Sequence, residues 1–166
     1  NSPKGACDKC NGIGTLYQVN LNKIVPDDSL SIKAGGLAPQ GPQKNSWIFK
    51  QLELIAQRYE FSLSDPIKKI PKEALDMIFY GGNEKFTVDS KTLGIARNYS
   101  IDFEGIANFI ESQYNNAEST SIRRWAKEYM DRVECSVCEG SRLRKESLYF
   151  KVDGKSIAEL VKMDIV

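Results

Sequence analysis

The sequence predicts an α+β protein, a helix-rich inserted domain with short strands, tethered at both ends to a four-cysteine module. Three observations carry that expectation. The only cysteines form two Cys-x-x-Cys pairs, Cys7/Cys10 and Cys135/Cys138, with 124 residues between them. The intervening stretch mixes apolar residues at helical spacing with short strand-like alternations. The whole chain of 166 residues is 41% hydrophobic and 27% charged, which suits one domain with a buried core, or one domain with a small appendage.

The cysteine pairs come first. Two residues between cysteines let both sulfurs turn inward on one tight loop, and two such loops complete a tetrahedral thiolate site. The flanking residues repeat too. Cys10-Asn11-Gly12 and Cys138-Glu139-Gly140 each place glycine two positions after the second cysteine. There the backbone must fold back toward the sulfurs, and φ > 0 costs glycine little. Gly14 and Arg142 are the next equivalent positions. The chain opens at Asn1 rather than Met, with a cysteine motif by residue 7, and is expected to be a segment of a longer protein. No apolar leader or membrane-length run is present, so reduced thiols in a cytoplasmic protein are expected rather than disulfides. A thioredoxin-type redox pair needs a βαβ setting that neither motif has. Four sulfurs suit Zn²⁺ or an iron–sulfur centre; nothing else points to redox work, so the expected cofactor is a structural Zn²⁺. Four thiolates leave it no open position for catalysis. Zinc ribbons leave about 15–20 residues between their pairs. The far longer separation here implies a zinc module at residues 1–15 and 134–166, clamping an insertion domain at 16–133.

Each element of the insert has its own signal. "TLYQVNL" alternates as a strand, and the Gly-, Pro- and Asp-rich stretch at 26–45 reads as an irregular ordered loop. Ile48, Leu52, Ile55 and Tyr59 recur at helical spacing behind Ser46, a candidate N-cap. A second helix has Pro71 at its first position, Leu75, Ile78 and Phe79 on one face, and Gly81 past its end. "KFTV" and "NYSIDF" are short strands, joined by a loop bearing Lys91 and Arg97. A helix from Glu104 to Tyr114 buries Ile106, Ala107, Ile110 and Tyr114. The last one carries Ile122, Trp125, Ala126, Tyr129 and Val133 on one face and runs into Cys135. Beyond the second pair, Leu148, Phe150 and Val152 alternate as a strand, "DGK" turns, and Ser156 caps a short helix.

Several function classes are excluded. With no histidine, the chain lacks the commonest general base and the commonest nitrogen ligand. It has neither the G-x-x-x-x-G-K-[ST] phosphate loop nor a Gly-x-Ser-x-Gly elbow. Asp27, Asp28 and Asp65 sit in turn contexts. No residue is therefore assigned a catalytic role.

The residues "NSPKGACDKCNGIG", "SWIFKQLELIAQRYEFSLSDPIKKIPKEALDMIFYGG" and "YMDRVECSVCEGSRLRKESLYFKVDGKSIAELVKMDI" together resemble the UvrA family, the damage-recognition ATPases of bacterial nucleotide excision repair. The resemblance is weakest around residues 83–102. It implies a zinc module plus an insertion, or DNA-binding, domain, with Cys7, Cys10, Cys135 and Cys138 as the metal ligands. Family members hydrolyse ATP at two ABC-type sites, but the phosphate-binding Lys loop and the Leu-Ser-Gly-Gly signature are absent from this sequence. The fragment is therefore expected to lack ATPase activity, ATP belonging to the parent protein. The resemblance further implies a homodimeric parent that contacts UvrB through a module not present here.

The expected partner is damaged double-stranded DNA, gripped independently of sequence through phosphates. Lys and Arg number 23 against 22 Asp and Glu, so any DNA contact must rest on a local patch rather than on a global field. Arg142, Arg144 and Lys145 after the second pair form one candidate cluster. Arg123 and Lys127 before it form another and are preferred to Arg124, which is spaced to pair with Glu128. Lys4 and Lys9 flank the first pair, and Lys68, Lys69 and Lys72 make a further group. The near-neutral charge favours the alternative of a protein–protein or dimer-contact module with little DNA affinity. A chaperone-type zinc domain of the DnaJ kind would need four motifs in close succession.

Overall fold

A computed structural model describes residues 3–89 and 96–163. The chain divides into two compact units, residues 1–18 with 131–166, and residues 19–130.

In the second unit, α1 (Leu21–Ile24) is a single turn started by Asn20, whose side chain accepts the Asn22 N–H at 2.9 Å. The following loop is irregular, as expected, yet tied by its backbone. Lys33 N–H donates to Leu63 O at 2.9 Å and Ile67 N–H to Leu30 O at 3.0 Å. These bonds hold Ile32 and Leu37 in the core. Helix α2 (Trp47–Arg58) buries Phe49, Leu52, Ile55 and Ala56. The expected stripe led with Ile48 and closed with Tyr59; both are only half-buried. The helix carries two adjoining apolar lines, and the one with the larger Phe49 ring faces inward. Ser46 occupies the N-cap without making a side-chain cap bond.

Helix α3 (Lys72–Tyr80) follows Pro71, which sits at the cap rather than at the first helical position. It buries Ala74, Met77, Ile78 and Phe79, leaving the expected Leu75 half-buried. It ends at Gly81 with φ 74°. The two expected strands pair as an antiparallel hairpin, β2 (Gly82–Asp89) with β3 (Ala96–Phe103), Gly82 facing Phe103 and Asp89 facing Ala96. Arg97 thus belongs to a strand, while Lys91 lies outside the described residues. Helix α4 (Ile106–Asn116) buries Ile106, Ala107 and Ile110. Helix α5 (Thr120–Glu128) packs on α4 through the edge-to-face pair Phe109–Trp125 at 6.2 Å, and Trp125 also meets Tyr129 at the end of its own helix at 5.5 Å.

Helix α5 does not run into Cys135. It stops at Glu128, and β4 (Met130–Glu134) carries Val133 as a strand residue. The cause is tertiary: β4 pairs with β1 (Thr15–Val19), so its main-chain groups bond across a ladder instead of along a helix.

The first unit also holds a 3-10 turn at Pro3–Gly5 and another at Lys145–Leu148. The strand expected through Leu148, Phe150 and Val152 shrinks to β5 (Lys151–Val152), paired with β6 (Lys155–Ser156). Helix α6 (Ile157–Val161) follows Ser156, which forms a complete capping box with Glu159. Among the described residues, no helix is long and apolar enough to cross a membrane.

Candidate metal centre and basic surface

The two cysteine loops have the same backbone path. Asn11, Gly12 and Gly14 have φ of 49°, 77° and 85°; Glu139, Gly140 and Arg142 have 47°, 73° and 67°. Ile13 N–H donates to Cys10 O at 3.0 Å, and Ser141 N–H to Cys138 O at 2.9 Å. The loops also exchange equivalent bonds. Cys7 N–H donates to Arg142 O at 2.9 Å, and Cys135 N–H donates to Gly14 O at 3.0 Å. Each loop's first cysteine is thus seated on the carbonyl that closes the other loop, a local pseudo-two-fold arrangement.

This arrangement brings the four sulfurs together. All four lie within 4.8 Å of one another and all four residues are buried. Cys7 and Cys135 Sγ are 4.0 Å apart, and Cys10 and Cys138 Sγ 3.6 Å. Disulfide sulfurs would be about 2.05 Å apart. A tetrahedron of metal–sulfur bonds of about 2.3 Å has edges of about 3.8 Å, which the two observed separations bracket. The donor set therefore fits a closed tetrathiolate ion. Leu16 packs against the cluster.

Charge distribution among the thiols points the same way. Burial pushes the Cys10 thiol up, but the Gly14 N–H, donating at 3.2 Å, and the sulfurs of Cys138, Cys7 and Cys135 outweigh it, and the thiol is lowered to about 7. Burial pushes Cys138 up to about 12, despite a bond from the Arg142 backbone, because it shares its surroundings with the other sulfurs. One negative charge is accommodated readily and further ones repel it, so a cation is what lets all four ionise together.

The basic residues expected to meet phosphate fall into different settings. Arg144 is exposed but lies along the first loop. Its Nε donates to Ala6 O at 3.0 Å, its Nη2 pairs with the Asp8 carboxylate, and its N–H donates to Gly5 O at 3.0 Å. Arg142 is exposed, its Cγ lying over Gly14, where an added Cβ would come within 2.9 Å. Lys145 is exposed and opens the second 3-10 turn. In the second unit, Arg123 and Lys127 are both exposed on α5. The Arg123 guanidinium donates to Ala117 O at 2.9 Å, capping the C-terminal end of α4, where a cation is favoured. Arg124, Lys68, Lys69 and Lys72 are exposed as well. The sequence shows neither the Arg144–Asp8 pair nor the exchanged cysteine-amide bonds, because both join residues more than 120 positions apart.

Comparison with known proteins places these features in a family context. The model of a family described as the UvrA DNA-binding domain matches residues 21–128. The chain is 33% identical over 168 residues to UvrABC system protein A of Clostridium perfringens, and 32% identical over 167 residues to that of Bacillus subtilis. Each match covers 99% of this chain and 18% of the relative, so the chain spans about a fifth of the length of the curated relatives it matches. Among solved structures, the crystal structure of UvrA2 from Deinococcus radiodurans superposes with a TM-score of 0.68 and 26% identity, over 96% of this chain and 21% of that one.

Proposed function

The chain belongs to the UvrA DNA-binding domain family, and on that basis we propose that it is the DNA-contacting, damage-recognising portion of a longer UvrA-type nucleotide excision repair ATPase. The observation that carries this reading is the family match across residues 21–128, the bulk of the second unit. In this reading residues 1–15 and 134–166 form a zinc module and 16–133 the inserted domain. Cys7, Cys10, Cys135 and Cys138 hold a structural Zn²⁺, and the ion joins the two ends of the excursion. The fragment itself performs no ATP hydrolysis; that activity, dimerisation and contact with UvrB belong to the parent protein in the cytoplasm.

DNA is held through phosphates, without base readout, as a sensor of lesions in any sequence requires. Arg142 and Lys145 beside the sulfur cluster, with Arg123 and Lys127 on α5, are the proposed contacts; Arg144 belongs to this set only insofar as its first-loop contacts leave it donors. A titration of damaged and undamaged duplex at several salt concentrations tests the proposal. Arg123→Ala and Lys127→Ala should each weaken binding to all sequences alike and lower the salt slope by about 1. Unchanged affinity and slope in both variants would remove these residues from the interface.

The net charge of +1 favours a second reading, a protein or dimer contact with little DNA affinity. The same titration decides between them, since that reading predicts no salt-dependent binding to either duplex. Elemental analysis of protein purified without added metal tests the zinc assignment, with one equivalent of zinc per chain expected.

A further inference from the structure

We infer that Arg144 is a positioning residue of the metal centre: its guanidinium braces the first cysteine loop and thereby sets how tightly the four sulfurs hold their ion. This rests on the tetrathiolate reading above. The two loops, alike in backbone, differ in what lies beside their first cysteine. The second loop is entered from β4, whose pairing with β1 fixes Cys135 from its N-terminal side. The first loop follows the 3-10 turn Pro3–Gly5. Beside that turn runs the segment that follows the second loop. Leu143 forms a bridge with Ala6, Arg144 N–H donates to Gly5 O at 3.0 Å, and Ser147 Oγ donates to the same carbonyl at 3.3 Å.

The Arg144 side chain extends this strip around the loop. Nε holds the carbonyl of Ala6, the residue just before Cys7, at 3.0 Å, and Nη2 holds Asp8, the residue just after it. One planar group thus grips both neighbours of a ligand. The second loop has Ser136 where the first has Asp8, and the residue after the first loop matching Arg144 is Leu16, so the brace has no counterpart. An ion pair whose carboxylate side chain is 76% exposed contributes little alone. The weight therefore falls on the fixed fork that joins carbonyl and carboxylate, which lysine cannot reproduce.

The test uses the 166-residue chain loaded with Co²⁺ and with Zn²⁺. Wild type should show the thiolate-to-cobalt absorption and d–d bands of a tetrahedral site; their absence would overturn the metal reading itself. With wild type loaded, Arg144→Ala should release zinc to a chelator about tenfold faster, in the range seen when groups that orient ligands are removed. Its d–d bands should shift while far-UV circular dichroism stays unchanged. Arg144→Lys should not restore the rate. Asp8→Asn should change it less than Arg144→Ala, and high salt should abolish the Asp8 effect first. Wild-type release rates in Arg144→Ala, or full rescue by lysine, would overturn the inference. Reduced DNA affinity with unaltered zinc release would instead assign Arg144 to phosphate.

Discussion

Gly14 and Arg142 occupy the same position in two copies of one loop, yet only one of them carries a side chain. Both backbones are left-handed, with φ of 85° and 67°, and both amides bond the second sulfur of their own loop. A left-handed residue with a Cβ costs about 1–2 kcal/mol. Arg142 meets that cost, and its aliphatic stem then fills the space over Gly14. Gly14→Ala would add the same cost and set a Cβ 2.9 Å from Arg142 Cγ and 3.2 Å from Gly140 O. It should therefore weaken metal retention by about 1–2 kcal/mol in chelator competition, whereas Arg142→Gly should leave retention unchanged. The repetition of cysteine and glycine is readable from the sequence. The pairing of a small residue in one loop with a long stem from the other is not, since it depends on a contact between Gly14 and Arg142, far apart in the sequence.

At the scale of elements, helix existence is legible and helix faces are less so. Helix α4 buries Ile106, Ala107 and Ile110 as its spacing indicates but leaves Tyr114 half-buried, whereas α2 turns Phe49 inward in place of Ile48. Periodicity locates a stripe to within one residue, and the neighbours it packs on choose between adjoining lines. The junction of α3 and α4 is a sharper case. Gly81 and Gly105, with φ of 74° and 89°, lie so close that a Cβ on Gly105 would be 2.4 Å from Gly81 N. Backbone cannot yield as a side chain does, so Gly105→Ala should destabilise the chain by about 3 kcal/mol in a urea titration. Gly154→Ala, with positive φ but open space around it, should cost only about 1 kcal/mol. The α6 cap is pH-dependent. Hydrogen bonds from the Ser156 backbone and hydroxyl hold the Glu159 carboxyl below its ordinary value of 4.5. Its contribution is complete above that value and is lost as pH falls through the lowered one. Amide exchange of residues 157–161 should quicken over that acidic window, and Ser156→Ala should make exchange fast at neutral pH as well.

For the whole molecule, the two units have separate sources of order. Residues 19–130 bury a continuous set of large apolar side chains, among them Phe49, Leu52, Ile55, Ile78, Ile101 and Ile110. Among the described residues of the unit formed by 1–18 and 131–166, the four cysteines form a buried cluster with Leu16 against them. Removing metal should therefore act unevenly. A strong chelator, or the double change Cys7→Ser and Cys10→Ser, should free the amides of residues 5–16 and 131–148 to exchange. Most of the far-UV helical signal from α2 to α5 should persist. Loss of both together would show that the unit of residues 19–130 needs the ion as well.

The sequence by itself determined which groups are present and what locally follows from them: two repeated Cys-x-x-Cys-x-Gly loops, mixed helix and strand between them, and helix starts and stops near Pro71, Gly81 and Ser156. Those features depend on residues a few positions apart, where backbone sterics and short-range hydrogen bonds act. The tertiary structure alone decided that the loops seat each other's cysteine amides, that residues 130–134 form a strand rather than extend a helix, and that Arg144 faces the first loop. Each of these depends on which distant main-chain or charged group is nearest once the chain has closed on itself, and no local pattern encodes that proximity.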